Sequence, residues 1–402
     1  MNQSQPSQNQ ARLPLHYPNI FFLISMPIVA LIGITWYSFN VGVSWVDLAI
    51  FTFMYFATGI AITAGYHRYY SHRSYSCGKT LQIFYLLFGA AAAENSLLSW
   101  ASDHRDHHRY VDQDNDPYNI NKGFFYAHMG WIFYKSTDRT ANAPDLLKDP
   151  LVLWQDRWYP FLVVAVGFTL PTFLGLLGGH PLGGLLWGGF LRLVVVHHAT
   201  FLINSAAHFW GQKPYSLNNS ARDNGLLAPL TFGEGYHNFH HKFPSDWRNG
   251  IRWHHFDIGK WWLLATSSMG LASKLNRTPE PLILKAKLDV EMEIAKRKLL
   301  NVETHSGIWE KVNSGLEIGR KHLESSMERY YQTALNYRQM KRTQNAELIA
   351  KLRKDIRRYR AELSQTRRAW AQAMKMLNGL SYSGARNVML LTAVADIFKS
   401  HI

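Results

Sequence analysis

Three imidazoles within five residues, His104, His107 and His108 in WASDHRDHHRY, are the part of this chain best equipped for chemistry. On a helix, offsets of three and four residues return to nearly the same azimuth, so all three can share one face. The H-x-x-H-H pattern recurs at His237, His240 and His241, in GYHNFHH. A related pair, His67 and His72, stands five residues apart, about 140° around a helix, and so suits two edges of a site better than one face. With His208 added, nine of the nineteen histidines fall in a few short clusters. Four ligands satisfy a zinc ion. Nine imidazoles exceed that and fit two metals of higher coordination, and imidazole alone suits Zn, Cu, Fe or Ni. Asp103, Asp106 and Glu234 lie beside the clusters, where a carboxylate can hold the outer N–H of a ligating ring.

These residues need elements to carry them, and the apolar pattern supplies membrane spans. Asn19–Phe39 is an uncharged apolar run long enough to cross a bilayer, and Trp45–Gly65 runs back with only Asp47 near its start. Trp158–Gly179 and Gly183–His208 form a second hairpin, with Arg192 as a mid-segment charge that must face protein or water. Neither hairpin turn carries Lys or Arg, which puts the turns on the non-cytoplasmic side and both termini and the histidines on the cytoplasmic side. Thr80–Ala93 is too short to span and reads as a helix tucked against the membrane. Residues 1–18 read as a disordered lead without a removable signal peptide. Aromatic and basic residues interleave over 247–262, as in a helix lying in the interface.

The fold class is therefore an all-α membrane protein: four spans in two hairpins, a cytosolic helical cap bearing the histidines, and a helical extension. The boundaries are 1–18, a membrane domain at 19–262, and a basic, mainly helical extension at 263–402. Net charge is +15, and residues 281–380 carry 21 Lys/Arg against 11 Asp/Glu, about two-thirds of the excess. That suits an anionic leaflet or an acidic protein, and no nucleic-acid-binding motif accompanies the charge. The single cysteine, Cys77, excludes an internal disulfide and any Cys-based metal site.

A histidine-rich site at the mouth of apolar helices is well placed to act on a lipid alkyl chain. Attack on an unactivated C–H bond needs a redox metal and oxygen. The ordered set HRYYSH, HRDHH and HNFHH, with NSAAH before the last, resembles the integral-membrane fatty acyl desaturases, closest to the acyl-CoA Δ9 (stearoyl-CoA type) branch. The resemblance covers roughly residues 45–262, and the flanking words AITAGYHRYYSHRSY and GEGYHNFHHKFPSDWRNG share it. It implies two iron ions, O2 as co-substrate, and a cis double bond placed in a saturated acyl chain of sixteen to eighteen carbons. The implied ligands are His67, His72, His104, His107, His108, His208, His237, His240 and His241, with Asn204 acting through a water.

By the same resemblance, Trp100 and Thr200 bend the acyl chain, with Glu94 where the family has Gln. Tyr55 and Gly59, on one face of the second span, stand where the family closes the far end of the acyl tunnel. With no side chain on Gly59, the space above Tyr55 should be open. Lys135 remains from a set of carrier-binding cations, Ser102 and Ser136 standing at the others, so acyl-CoA, acyl-carrier protein and phospholipid stay open as carriers. No His-Pro-Gly-Gly haem segment or dinucleotide fingerprint occurs, so electrons are expected from a separate protein of cytochrome b5, ferredoxin or reductase type. The alternatives are a di-iron hydroxylase on the same scaffold and, outside enzymes, a membrane metal transporter.

Overall fold

The computed structural model describes residues 14–135, 139–300, 306–341, 346–380 and 385–398. The lead expected at 1–18 lies, as far as residue 13, outside the described residues. From there the chain is ordered: Leu15 pairs with Tyr134, and a helix starts at Tyr17. The chain divides into two compact units, Met1–Gln212 with Asn218–Arg277, and Lys213–Leu217 with Thr278–Ile402.

The first unit holds four helices long and apolar enough to cross a membrane: Tyr17–Asn40, Trp45–Ser71, Pro150–Leu177 and Pro181–Phe209. The third starts eight residues before Trp158, because Asp149 caps it, accepting from the backbone N of Leu151 and Val152, and Pro150 follows as the first helical residue. Asp47 is tolerated near the start of the second span because it closes a capping box with Ser44 and accepts from the Tyr37 hydroxyl. Arg192 is fully buried in protein, as its charge demands. Its guanidinium donates to the carbonyls of Gly188 (3.0 Å), Ala91 (2.7 Å) and Gly167 (2.7 Å). It thereby ties the third and fourth spans to the C-terminal end of helix Lys79–Ala91, whose thirteen residues rise only about 20 Å, too short to cross.

The second span departs from the expected geometry where it matters most. From Ala61 to Ser71 it is a π-helix, with i→i+5 bonding such as His72 N to His67 O at 3.1 Å. The wider turn brings residues five apart closer in azimuth than an α-helix would, so His67 and His72 fall on the same side, ring centroids 4.9 Å apart, rather than on two edges of a site. The 247–262 stretch also differs, since the helix covers only Ile258–Ser268. Asp257 caps it and also accepts from the backbone N of Asn249 and Gly250 and from the guanidinium of Arg68. The backbone over 249–250 is spent on that carboxylate and cannot also form helical bonds.

In the second unit, four helices, Glu280–Leu300, Ser306–Met340, Ala346–Asn378 and Ala385–Ile397, close around their own core. Leu316, Leu323, Leu363, Trp370, Leu391 and Val394 are among its buried residues. Helix Ala346–Asn378 buries Leu363, Thr366, Trp370, Ala373 and Leu377, at spacings of three and four, and leaves Arg353, Arg357, Arg360 and Arg368 exposed on the other face. The positive excess of the extension is thus displayed to solvent.

Candidate metal centre

Four short elements bring the nine histidines together: the π-helical end of the second span, helix Leu97–Tyr110, the end of the fourth span, and helix His237–Lys242. Arg105, inside the HRDHH box, fixes two of them. Its guanidinium donates to the Tyr70 and Ser71 carbonyls, otherwise left over at the end of the second span, and forms a two-pronged pair with Asp145.

The histidines sort into two groups. His67, His72, His104, His108 and His240 have ligand nitrogens all within 4.8 Å of one another, and so do His107, His208, His237 and His241. Each H-x-x-H-H box straddles both. His104 and His108 enter the first group and His107 the second, whereas His237 and His241 enter the second and His240 the first. Helix geometry explains the division, because residues four apart project within about 40° of each other while the intervening one falls on the other flank.

The donor set fits metal. The Nε2 atoms face inward, 2.9 Å apart for His67–His240, 2.8 Å for His72–His104 and 3.2 Å for His107–His241. His107 Nδ1 meets an acceptor, Asp116, at 2.9 Å, and His67 Nδ1 lies 3.1 Å from Glu234 without the alignment of a hydrogen bond. His208 Nδ1 donates to Ser220 Oγ at 2.6 Å, and that hydroxyl in turn donates to Asp112. A ring that gives its Nδ1 proton to a carboxylate presents a bare lone pair at Nε2. Converging lone pairs at such separations repel unless a cation sits among them. Burial first, and the neighbouring imidazoles after it, holds His72, His104, His108, His240 and His241 well below the usual histidine range, and burial pushes His237 down to about 3. These rings are therefore neutral, the form that ligates.

Glu234 is one corner of a larger buried network, taking bonds from Thr63, Arg68 and Asn249. Burial raises its carboxyl, and the pull of His67, Arg68 and Thr63 outweighs that, leaving it well below the ordinary carboxylate range. Asp103 and Asp106 turn elsewhere. Asp106 accepts from Asn142 and Arg139, and Asp103 sits 3.7 Å from Arg139, lining the cavity beneath the histidines. Beside Glu234, the carboxylates that serve the rings are Asp116, directly on His107, and Asp112, which reaches His208 through Ser220; both come from the DQDND run just after the second box, at no spacing that marks them as partners.

That cavity is lined by His67, His104, His107 and His237 together with the apolar Ile62, Val196 and Phe201. Trp100, Thr200, Glu94 and Asn204 all line it. Trp100 stacks on His104 with ring centroids 5.0 Å apart, and its Nε1 donates to Glu94 at 3.2 Å. Thr200 donates to the other Glu94 oxygen at 2.8 Å. Burial pushes the Glu94 carboxyl up to about 7, against the pull of these two donors. Gly59 lines the cavity as well, but the space at its α-carbon is not open. A Cβ placed there would lie 2.1 Å from the Phe232 ring, which a sequence reading of the spans could not place. Tyr55 lies behind that ring, centroids 4.9 Å apart. Lys135 is exposed and does not line the cavity, and its backbone N is bonded to Pro14 O. Ser102 is buried and donates to Leu98 O, so it presents nothing to a carrier, and Ser136 lies outside the described residues.

A family model described as "Fatty acid desaturase" matches residues 43–272. A probable acyl-CoA desaturase of Schizosaccharomyces pombe is 41% identical over 70% of this chain and 59% of its own length. Stearoyl-CoA desaturase 5 of Homo sapiens is 34% identical over 67% of this chain and 80% of its own. An sn-1 stearoyl-lipid 9-desaturase of Synechocystis is also 34% identical, over 70% of this chain and 86% of its own. The chain thus spans about three-fifths of the fission-yeast relative.

Proposed function

From a chain that belongs to the fatty acid desaturase family, we propose an O2-dependent acyl desaturase that places a cis double bond, at Δ9, in a saturated chain of sixteen to eighteen carbons. The observation that carries this is the pair of buried, inward-facing histidine groups at the head of an apolar cavity. The nine imidazoles would hold two iron ions, with Asn204 in reach through a water. When bound, the irons supply the redox chemistry with O2 that an unactivated C–H bond requires. In the net reaction two adjacent methylenes become a double bond, and their two hydrogens, two protons and two electrons reduce O2 to two waters.

The chain's own residues position the substrate. Ile62, Val196 and Phe201 give the acyl chain an apolar bed and exclude water. Glu94, held by Trp100 and Thr200, braces the indole against the face of His104, so the chain must bend past Trp100 where the histidines approach it. The electrons come from a separate redox protein, of cytochrome b5, ferredoxin or reductase type. The active site and both termini face the cytoplasm, in line with uncharged turns on the far side.

The acyl-CoA thioester is the proposed carrier, after the two CoA-type relatives. A second reading, a phospholipid-borne chain, is favoured by equal identity to the Synechocystis lipid desaturase and by the burial of Ser102. Expression of the full chain in cells lacking their own desaturase, followed by analysis of double-bond position, tests the reaction. Δ9 monounsaturated chains are expected, and hydroxylated chains or no new product would overturn it. Supplying the purified protein with acyl-CoA or phospholipid, each with a redox donor, separates the carriers.

A further inference from the structure

The cavity ends on a side chain that no span supplies. His67, Thr63, Ile62 and Gly59 follow one another down the second span and all line it, whereas Tyr55, a turn beyond Gly59, does not. Between them stands the Phe232 ring. A Cβ on Gly59 would come within 2.5 Å of three of its atoms, and its centroid is 4.9 Å from Tyr55 and 6.0 Å from Phe56. The phenyl fills the volume that the missing side chain of Gly59 leaves, and it is 4% exposed.

The backbone beneath it is unusual. Phe232 has φ 54° and Gly233 φ 100°, so two successive residues take left-handed conformations, one of them a bulky non-glycine. Such a residue persists only where its surroundings hold it, and such positions cluster at ligand clamps. Here Gly233 N bonds Ala228 O at 2.8 Å, and Gly259 N reaches Phe232 O at 3.4 Å. Two residues on, Glu234 meets His67, Thr63, Arg68 and Asn249. The ring at the bottom of the cavity and the carboxylate that orients a metal-facing histidine therefore share one short, pinned loop. Along the second span the distance from His67 to Gly59 is at most about 12 Å, the α-helical rise over eight residues, since the π segment from Ala61 rises less per residue.

We propose that Phe232 is the end-stop of this cavity and sets the longest acyl chain the enzyme accepts, with its height below the histidines fixed by the 231–234 loop. This rests on the cavity being the acyl site. The test is full-length wild type, Phe232→Ala, Phe232→Leu and Tyr55→Ala, expressed in desaturase-deficient cells fed sixteen-, eighteen- and twenty-carbon saturated acids. Phe232→Ala is expected to raise the ratio of twenty- to sixteen-carbon product at least tenfold, given the usual discrimination per methylene in an apolar pocket. Phe232→Leu should fall between, and Tyr55→Ala should leave the ratio near wild type because its ring stands behind the stop. An unchanged ratio in an iron-loaded Phe232→Ala, or a larger shift in Tyr55→Ala, would overturn the assignment. If the alanine variant fails to accumulate, Phe232→Leu decides, since it keeps an apolar side chain on the loop: a wild-type ratio there overturns the proposal. Wild type that yields no unsaturated product would refute the acyl reading itself rather than the end-stop.

Discussion

At the scale of single residues, the groups that face the outer nitrogens matter as much as the rings. Asp116 accepts from His107 Nδ1 and also from the backbone N of Asp112 and Tyr118, so it orders the loop and the ring together. His107→Ala is expected to lower bound iron and abolish desaturation while the protein still inserts in membranes, measured as metal per purified chain. Asp116→Ala should weaken metal binding by roughly 10–100-fold, and Asp116→Asn, which keeps an acceptor oxygen, should recover part of the loss. Unchanged iron affinity in Asp116→Ala would show that the ring is oriented by packing alone. Glu94 gives a second residue-scale prediction. Its folded-state value near 7 lies above the ordinary 4.5, so between those pH values the unfolded chain has released a proton that the folded chain still holds. Stability contributed by this group therefore falls as pH rises from about 4.5 to about 7, then levels. Glu94→Gln should remove that slope in thermal melts of the detergent-solubilised protein. A slope of equal size in the variant would place its origin elsewhere.

At the scale of elements, the π-helical end of the second span decides the geometry of the histidine groups. An α-helical run would turn His72 about 140° from His67. With i→i+5 bonding both rings join one group of five. Deleting Ala64, buried within the π segment, should return the run toward α geometry and rotate His67 out of register. The expected outcome is a protein with near-native helix content by circular dichroism but with most of its iron lost. Retention of full iron would mean that the π turn can migrate along the span.

At the scale of the molecule, the chain combines a unit with four helices long and apolar enough to cross a membrane with a helical unit that has its own core. In the latter, Trp370 is 4% exposed, packs near Phe398 and donates its Nε1 to Glu291. Trp370→Ala should cost the unit about 3–5 kcal/mol. The loss should register as faster proteolysis or hydrogen exchange between residues 280 and 380. Unaltered protection there would mean that the remaining apolar residues close over the gap.

The sequence by itself determined the spans, the nine histidines and the chemistry they allow. Those properties are local: twenty apolar residues in a row, or imidazoles three and four apart, mean the same thing wherever the chain goes. The tertiary structure decided how the histidines divide into five and four, because the two H-x-x-H-H boxes approach from different elements and the π turn reorients a third. It also decided which carboxylates serve them. Asp103 and Asp106 are nearest in sequence yet face Arg139 and Asn142, while Asp116 and Asp112 arrive through a turn of the chain. Gly59 marks the same boundary. Its missing side chain was legible as empty space, but what fills that space is Phe232, from a loop more than 170 residues away. Whether a gap stays open is a property of whatever packs against it, and close-packed interiors leave few gaps unfilled.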